Sequence, residues 1–168
     1  MHCILTDRIQ TPIGEMVLVA RDGVLLLLEF VDKGDRLARE IKARFGDIEM
    51  QTAANPFGLS DIIHDYFAGN ITAIDNLLTD GGGTDFEKNV WAELRRIPSG
   101  STMSYGSIAR KLGDIQLSRA VGTANGKNPI AIVVPCHRVI GADGSMTGYG
   151  GGITRKEWLL RHEGALLV

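Results

Sequence analysis

The chain has 168 residues, 44% of them hydrophobic, a formal net charge of −2 and two cysteines. That length supports a respectable core, as one domain or two small ones. No apolar run approaches the roughly 20 residues of a membrane helix, no secretory pattern opens the chain, and the distant Cys3 and Cys136 make no disulfide framework, so a cytoplasmic, reducing setting is expected.

The halves differ in charge. Residues 1–83 carry 7 Lys and Arg against 13 Asp and Glu, whereas residues 84–168 carry 11 against 7. A basic second half points weakly to a polyanionic partner. Cysteines and histidines show no zinc-ligand spacing, and neither a metal nor a cofactor is expected.

In chain order, residues 2–9 read as a first strand. Met16–Ala20 and Val24–Phe30 are stronger strand patterns, joined through Asp22-Gly23, a hairpin turn signal. Leu37, Ile41 and Phe45 recur at helical spacing ahead of Gly46, which predicts a helix over 33–45. Asn55-Pro56 offers a cap and first residue for a second helix. Its apolar face is Leu59, Ile62, Ile63, Tyr66 and Phe67, and His64 falls on the surface side. This half reads as a small α/β unit without a site. Asp80-Gly81-Gly82-Gly83 reads as a linker, and a domain boundary is placed near residue 83.

Thr84-Asp85-Phe86-Glu87 fits a capping box, and Phe86, Val90, Trp91 and Leu94 give that helix its apolar face. Two short helices follow, Ser104–Leu112 and Leu117–Asn125, with the dimensions of a helix-turn-helix. An ordinary helical hairpin has the same dimensions. Ala120, Gly122 and Ala124 leave the second helix small-sided, and Arg119 stands near its N-terminus, where phosphate is favoured. Ile130–Val134 reads as a buried strand closed by Pro135. Cys136-His137 comes next, then a glycine-rich run over 141–152. A thiol with an imidazole beside it and open backbone around it suits nucleophilic chemistry, and it equally fits a buried structural thiol. Thr154–Glu157 reads as a second capping box, opening a last helix that Gly164 ends.

Together these residues identify a family. Pro135-Cys136-His137-Arg138-Val139 resembles the active-site signature of the O6-alkylguanine-DNA alkyltransferases, also called methylated-DNA–protein-cysteine methyltransferases. Tyr105-Gly106, Arg119-Ala120-Val121-Gly122, Asn128-Pro129, Gly148-Tyr149, Lys156–Leu160 and His162-Glu163-Gly164 resemble it in the same order and spacing. The likeness is strong over residues 84–168, and over 1–83 it extends only to size and coarse pattern.

The resemblance implies a ribonuclease-H-like α/β domain over 1–83 and a mostly helical, winged-helix-like domain over 84–168. It implies irreversible transfer of the alkyl group from O6-alkylguanine in double-stranded DNA to Cys136, once per molecule. His137 is then the base, acting through a water, Glu163 its orienting carboxylate, and Asn128 the hinge that ties the second helix to the cysteine segment. Arg119 enters the duplex where the base has left, Tyr105 crowds the phosphate, and Ala120 and Gly122 allow close approach. Val139, Tyr149 and Gly150 line the guanine pocket. The expected agent is a monomer that clusters cooperatively along DNA. O4-alkylthymine stays open as a second substrate.

Departures from the family pattern are Asn125 and Gly126, where some members carry bulkier or basic residues, and Ala131, where some carry proline. They bear on pocket tightness rather than on the reaction. The zinc site of some relatives is not evident, since beside His2 and Cys3 the remaining ligands are missing. Two other readings compete: a lesion-binding protein without catalysis, which retention of Cys136 opposes, and a cysteine hydrolase, which would leave Arg119 and the small-sided helix without a purpose.

Overall fold

The computed structural model describes residues 3–146 and 148–166. His2, in the predicted first strand, and Thr147, in the glycine-rich run, lie outside those residues. The chain divides into two compact units, 1–82 and 83–168.

The first unit is built on a mixed four-stranded sheet of order β3-β2-β1-β4. Its strands are β1 (Ile4–Thr11), β2 (Gly14–Arg21), β3 (Val24–Phe30) and β4 (Met50–Thr52). β1–β2 and β2–β3 are antiparallel, and β4 runs parallel to β1. Asp22 (φ 52°) and Gly23 (φ 80°) both take positive φ between β2 and β3, as a two-residue turn matched to strand twist requires. Helix α1 (Asp35–Phe45) packs Leu37 and Phe45 against Val17, Val19 and Leu27. Helix α2 (Leu59–Phe67) buries Leu59, Ile63 and Tyr66 and packs on β1.

Two expectations change in this unit. Asn55-Pro56 does not open α2. Asn55 sits at φ 50°, residues 56–58 form a separate turn, and α2 starts at Leu59. Asn55 still serves the helix at a distance, because its Oδ1 accepts from the Asp61 amide at 3.0 Å. The segment taken as linker is partly bound. Leu25 and residues 78–80 exchange backbone hydrogen bonds, and Arg44 donates to the carbonyls of Leu26 and Asp80. β4 is too short for its alternation to stand out in the sequence.

The second unit is mostly helical, so the chain has the expected class, an α/β unit followed by an α-rich one. Its elements are α3 (Asp85–Arg95), β5 (Met103–Ser104), α4 (Tyr105–Lys111), α5 (Ser118–Gly126), β6 (Val139–Ile140) and α6 (Ile153–His162). The capping box at Thr84 is present in full. Thr84 Oγ1 accepts from the Glu87 amide at 3.1 Å, and Glu87 Oε1 accepts from the Thr84 amide at 2.9 Å. Val90 and Leu94 are buried, and Trp91 Nε1 donates to the Ala124 carbonyl at 2.9 Å, joining α3 to α5. Ser104 caps α4 by accepting from the Ser107 amide. A short turn over Ile115–Leu117 leads into α5.

The predicted strand over Ile130–Val134 does not form. All five side chains are buried, but the backbone turns repeatedly and Ile132 adopts φ 74°. Asn128 supplies what a strand partner would have supplied. Its Oδ1 accepts from the Ile130 amide at 3.0 Å, and its Nδ2 donates to the carbonyls of Val134 at 2.8 Å and Ile130 at 3.3 Å. An apolar run reports burial; it does not say how the backbone polar groups are satisfied. The second capping box is also corrected. α6 begins at Ile153 behind Gly152 (φ 97°), which puts Thr154 inside the first turn, and Glu157 pairs with Arg161 instead.

Candidate active site

Cys136 opens a short turn, Cys136–Arg138, that leads directly into β6. The turn is fixed from below: the Cys136 amide donates at 2.8 Å to the Val134 carbonyl, the same oxygen that accepts from Asn128 Nδ2. Asn125, at the end of α5, lies 3.5 Å from the Cys136 carbonyl. The cysteine is therefore presented by rigid backbone and is itself buried.

His137 is fully buried. Its Nε2 donates to Glu163 Oε2 at 2.9 Å, while its Nδ1 is buried without a hydrogen-bond partner among the described residues. With the proton held on Nε2, Nδ1 is the basic nitrogen. Burial pushes the imidazole below its ordinary pKa, and this outweighs the upward pull of Glu163, so the ring is neutral at pH 7. Glu163 caps the end of α6. Burial raises its pKa, but bonds from His137 and Arg138 dominate and hold it at about 2.

Two side chains in this cluster escaped assignment from sequence. Arg138 is buried and grips Glu163 with Nε on Oε1 at 2.8 Å and Nη2 on Oε2 at 2.9 Å. Lys156 has no exposed surface and donates through Nζ to the Val139 carbonyl. Burial pushes the Lys156 ammonium down, and the charge of Cys136 pulls it back up. Both residues stand inside the quoted motifs. Burial would normally be the last guess for Arg or Lys, so nothing marked them as interior. Among the described residues, the buried charges of this unit are Arg138, Lys156 and Glu163, a surplus of one positive charge beside the thiol.

The remaining predicted residues frame this cluster unevenly. Val139 is buried at the start of β6, and Tyr149 is buried with its ring edge-on to His137 at 6.5 Å. Tyr105 opens α4, and burial together with the charge of Cys136 raises its phenol pKa. The Tyr105 ring passes 3.8 Å from where a Cβ on Gly122 would lie. Its hydroxyl would meet a Cβ on Gly148 at 2.7 Å, so position 148 admits no side chain without displacing it. Arg119 and Ala120 stand exposed on the first turn of α5, and Gly150 is exposed in a turn, so these three lie outside the buried cluster. Cys3 is exposed, and among the described residues no three His, Cys, Asp or Glu side chains are grouped to hold a metal ion.

A buried thiol followed in sequence by an imidazole that is bonded to a carboxylate, on a domain with a short helix pair, is an arrangement that suits thiol chemistry. Comparison with known proteins gives the class its name. Residues 85–165 match the family described as 6-O-methylguanine DNA methyltransferase, DNA binding domain. The chain is 49% identical to the methylated-DNA–protein-cysteine methyltransferase of Shigella flexneri and 51% identical to that of Salmonella typhimurium, each alignment covering 98% of both chains. The fold is similar to the crystal structure of Mycobacterium tuberculosis OGT in complex with DNA, with a TM-score of 0.82, 42% identity, and coverage of 96% of this chain and 93% of that one. It is also similar to the crystal structure of the Mycobacterium tuberculosis O6-methylguanine methyltransferase, with a TM-score of 0.80 and 40% identity over 98% of this chain and 94% of that one. The chain belongs to the methylated-DNA–protein-cysteine methyltransferase family.

Proposed function

We propose that this protein repairs O6-alkylguanine in double-stranded DNA by moving the alkyl group onto Cys136. The observation that carries the reading is the ordered contact from Glu163 to His137 at 2.9 Å, with a bare Nδ1 one residue from the thiol. Nδ1 takes the thiol proton, through a water. The sulfur attacks the alkyl carbon as the carbon–O6 bond breaks, and guanine retains that electron pair and takes up a proton. The product is a thioether, a bond that water does not hydrolyse at neutral pH, so each molecule reacts once.

The target oxygen lies inside the base stack, so the nucleotide must leave the duplex first, and the poor pairing of an alkylated guanine lowers that cost. Exposed Arg119 at the head of α5 suits entry into the gap. Ala120 and Gly122 suit close approach to the minor groove, with Tyr105 turned toward the phosphate. Val139, Tyr149 and Gly150 form the base pocket, and Asn128 keeps the cysteine turn in register with α5. Contacts to phosphate predominate, so affinity falls steeply with salt and carries little sequence preference. A relative crystallised with DNA supports this partner. Among the described residues no helix is long and apolar enough to cross a membrane, and a free thiol of this kind suits the reducing cytoplasm.

Incubation with a duplex bearing one O6-methylguanine, followed by intact mass and peptide mapping, is expected to show one added methyl on Cys136 and none beyond it. Cys136→Ser should bind the lesion duplex and gain nothing. An unmodified parent protein that still binds the lesion would overturn the transfer. Lys156→Met tests the surplus charge. Removing a buried cation beside the thiol disfavours the thiolate, and transfer is expected to slow by about tenfold or more at neutral pH. The loss should shrink as pH rises. A Lys156→Met rate equal to the parent's across pH 6–9 would remove the lysine from the chemistry.

A further inference from the structure

None of the steps above uses Arg138, yet it donates three hydrogen bonds within the cluster. Its guanidinium holds both oxygens of Glu163, and its Nη1 donates to the Ile97 carbonyl, just past α3, at 2.6 Å. A guanidinium fork that engages both carboxylate oxygens fixes the plane of the carboxylate as well as balancing its charge. Oε2 then accepts from Arg138 and from His137 together, each at 2.9 Å.

We propose that Arg138 is a positioning residue for the alkyl transfer: by locking the plane of Glu163 and balancing its charge, it keeps the His137 proton on Nε2 and leaves Nδ1 as the base. The charged groups facing His137 are Glu163, Arg138 and Lys156. Without Arg138 the full charge of Glu163 falls on the imidazole. The ring then holds a second proton to higher pH, and the carboxylate is free to rotate away from Nε2. A purely mechanical role, in which Arg138 only ties residue 97 to the cysteine turn, predicts lower stability with unchanged chemistry per folded molecule.

The inference rests on the function proposed above, and the test separates the two. Single-turnover transfer from an O6-methylguanine duplex is measured from pH 5 to 9 for the parent, Arg138→Met and Arg138→Lys. Iodoacetamide alkylation of Cys136 is followed in parallel as a probe that needs no DNA. Arg138→Met is expected to slow both reactions about tenfold or more at pH 7 and to move their acid limb up by about one pH unit. Arg138→Lys, which keeps the charge and loses the fork, should retain the parent's acid limb and remain slower. A folded Arg138→Met with the parent's pH profile, slowed only in proportion to its folded fraction, would reduce Arg138 to a clamp. Where Arg138→Met does not fold, Arg138→Lys decides, and a parental rate at every pH would overturn the proposal. A parent that transfers no methyl while its iodoacetamide reactivity responds to these variants as described would remove the repair reading and keep the positioning role.

Discussion

Asn128→Ala is expected to abolish methyl transfer and to melt the second unit well below the parent. The buried side chain closes three hydrogen bonds, to the Ile130 amide and to the carbonyls of Ile130 and Val134. Taking the acceptor from the buried Ile130 amide costs about 1–3 kcal/mol. Each of the two carbonyls, which keep their bonds from the Val134 and Cys136 amides, loses a further bond worth about 0.5–1.5 kcal/mol. Even at the low end, the sum is a large fraction of the about 5–15 kcal/mol that keeps a domain folded. The chemistry suffers separately, because the Cys136 amide hangs from Val134, the residue that Asn128 holds. Asn128→Asp isolates the donors. The acceptor for the Ile130 amide survives, but a carboxylate now faces two carbonyls, so this near-isosteric change should do as much harm as alanine. Both tryptophans of the chain, Trp91 and Trp158, lie in the second unit, so their fluorescence follows its melting alone. A parental melt and parental transfer rate in either variant would show that the turn holds without the asparagine.

The second large effect is on acid stability. Glu163 has a pKa of about 2 in the folded chain against an ordinary 4.5. A carboxylate depressed on folding contributes stability that is fully present above its unfolded pKa and is lost as pH falls toward the folded one. A displacement of that size corresponds to about 3 kcal/mol, lost between roughly pH 5 and pH 2. His137 acts in the same direction. Burial lowers its pKa, so the unfolded chain takes up a proton first as pH falls below about 6.5, and this favours unfolding. Urea titrations followed by tryptophan emission should therefore show stability falling from neutral pH to pH 3. Glu163→Gln leaves the Arg138 guanidinium buried without its anion, at a cost of about 3–5 kcal/mol at pH 7. It should also flatten the decline below pH 5, because the titrating group is gone. Equal acid slopes for parent and variant would show that the pair does not govern acid unfolding.

Much of the scaffold was readable from local chemistry. Asp22-Gly23 announces its turn because few residues accept positive φ twice in succession. Thr84 and Glu87 announce a helix start because their side chains answer each other's amides within one turn. Both signals are complete within four residues. The strand over Ile130–Val134 failed for the opposite reason: what satisfies that backbone is a side chain at position 128, outside the apolar run. The start of α6 was misplaced because Gly152 turns the chain into the helix without any capping side chain. Within the site, the motif spacing brought out Cys136 and His137. Glu163 lies 26 residues from His137, and only the resemblance joined them before the fold did. Arg138 and Lys156 went unassigned because their burial is enforced by partners that no periodicity reveals.

The segment that leaves the first unit has a second use. β3 is among the most apolar stretches of the chain, and among the described residues β2 alone pairs with it along its length. A strand with such a face and an open edge is a template for another chain. Here Leu25 is bonded on both sides of its residue by Leu78 and Asp80, and the Arg44 guanidinium covers the next carbonyl, that of Leu26. The exit from the unit thus doubles as a guard rail along the start of β3. Leu78 and Asp80, the latter the first residue of the segment read as a linker, occupy this edge and so oppose addition of a neighbouring strand there.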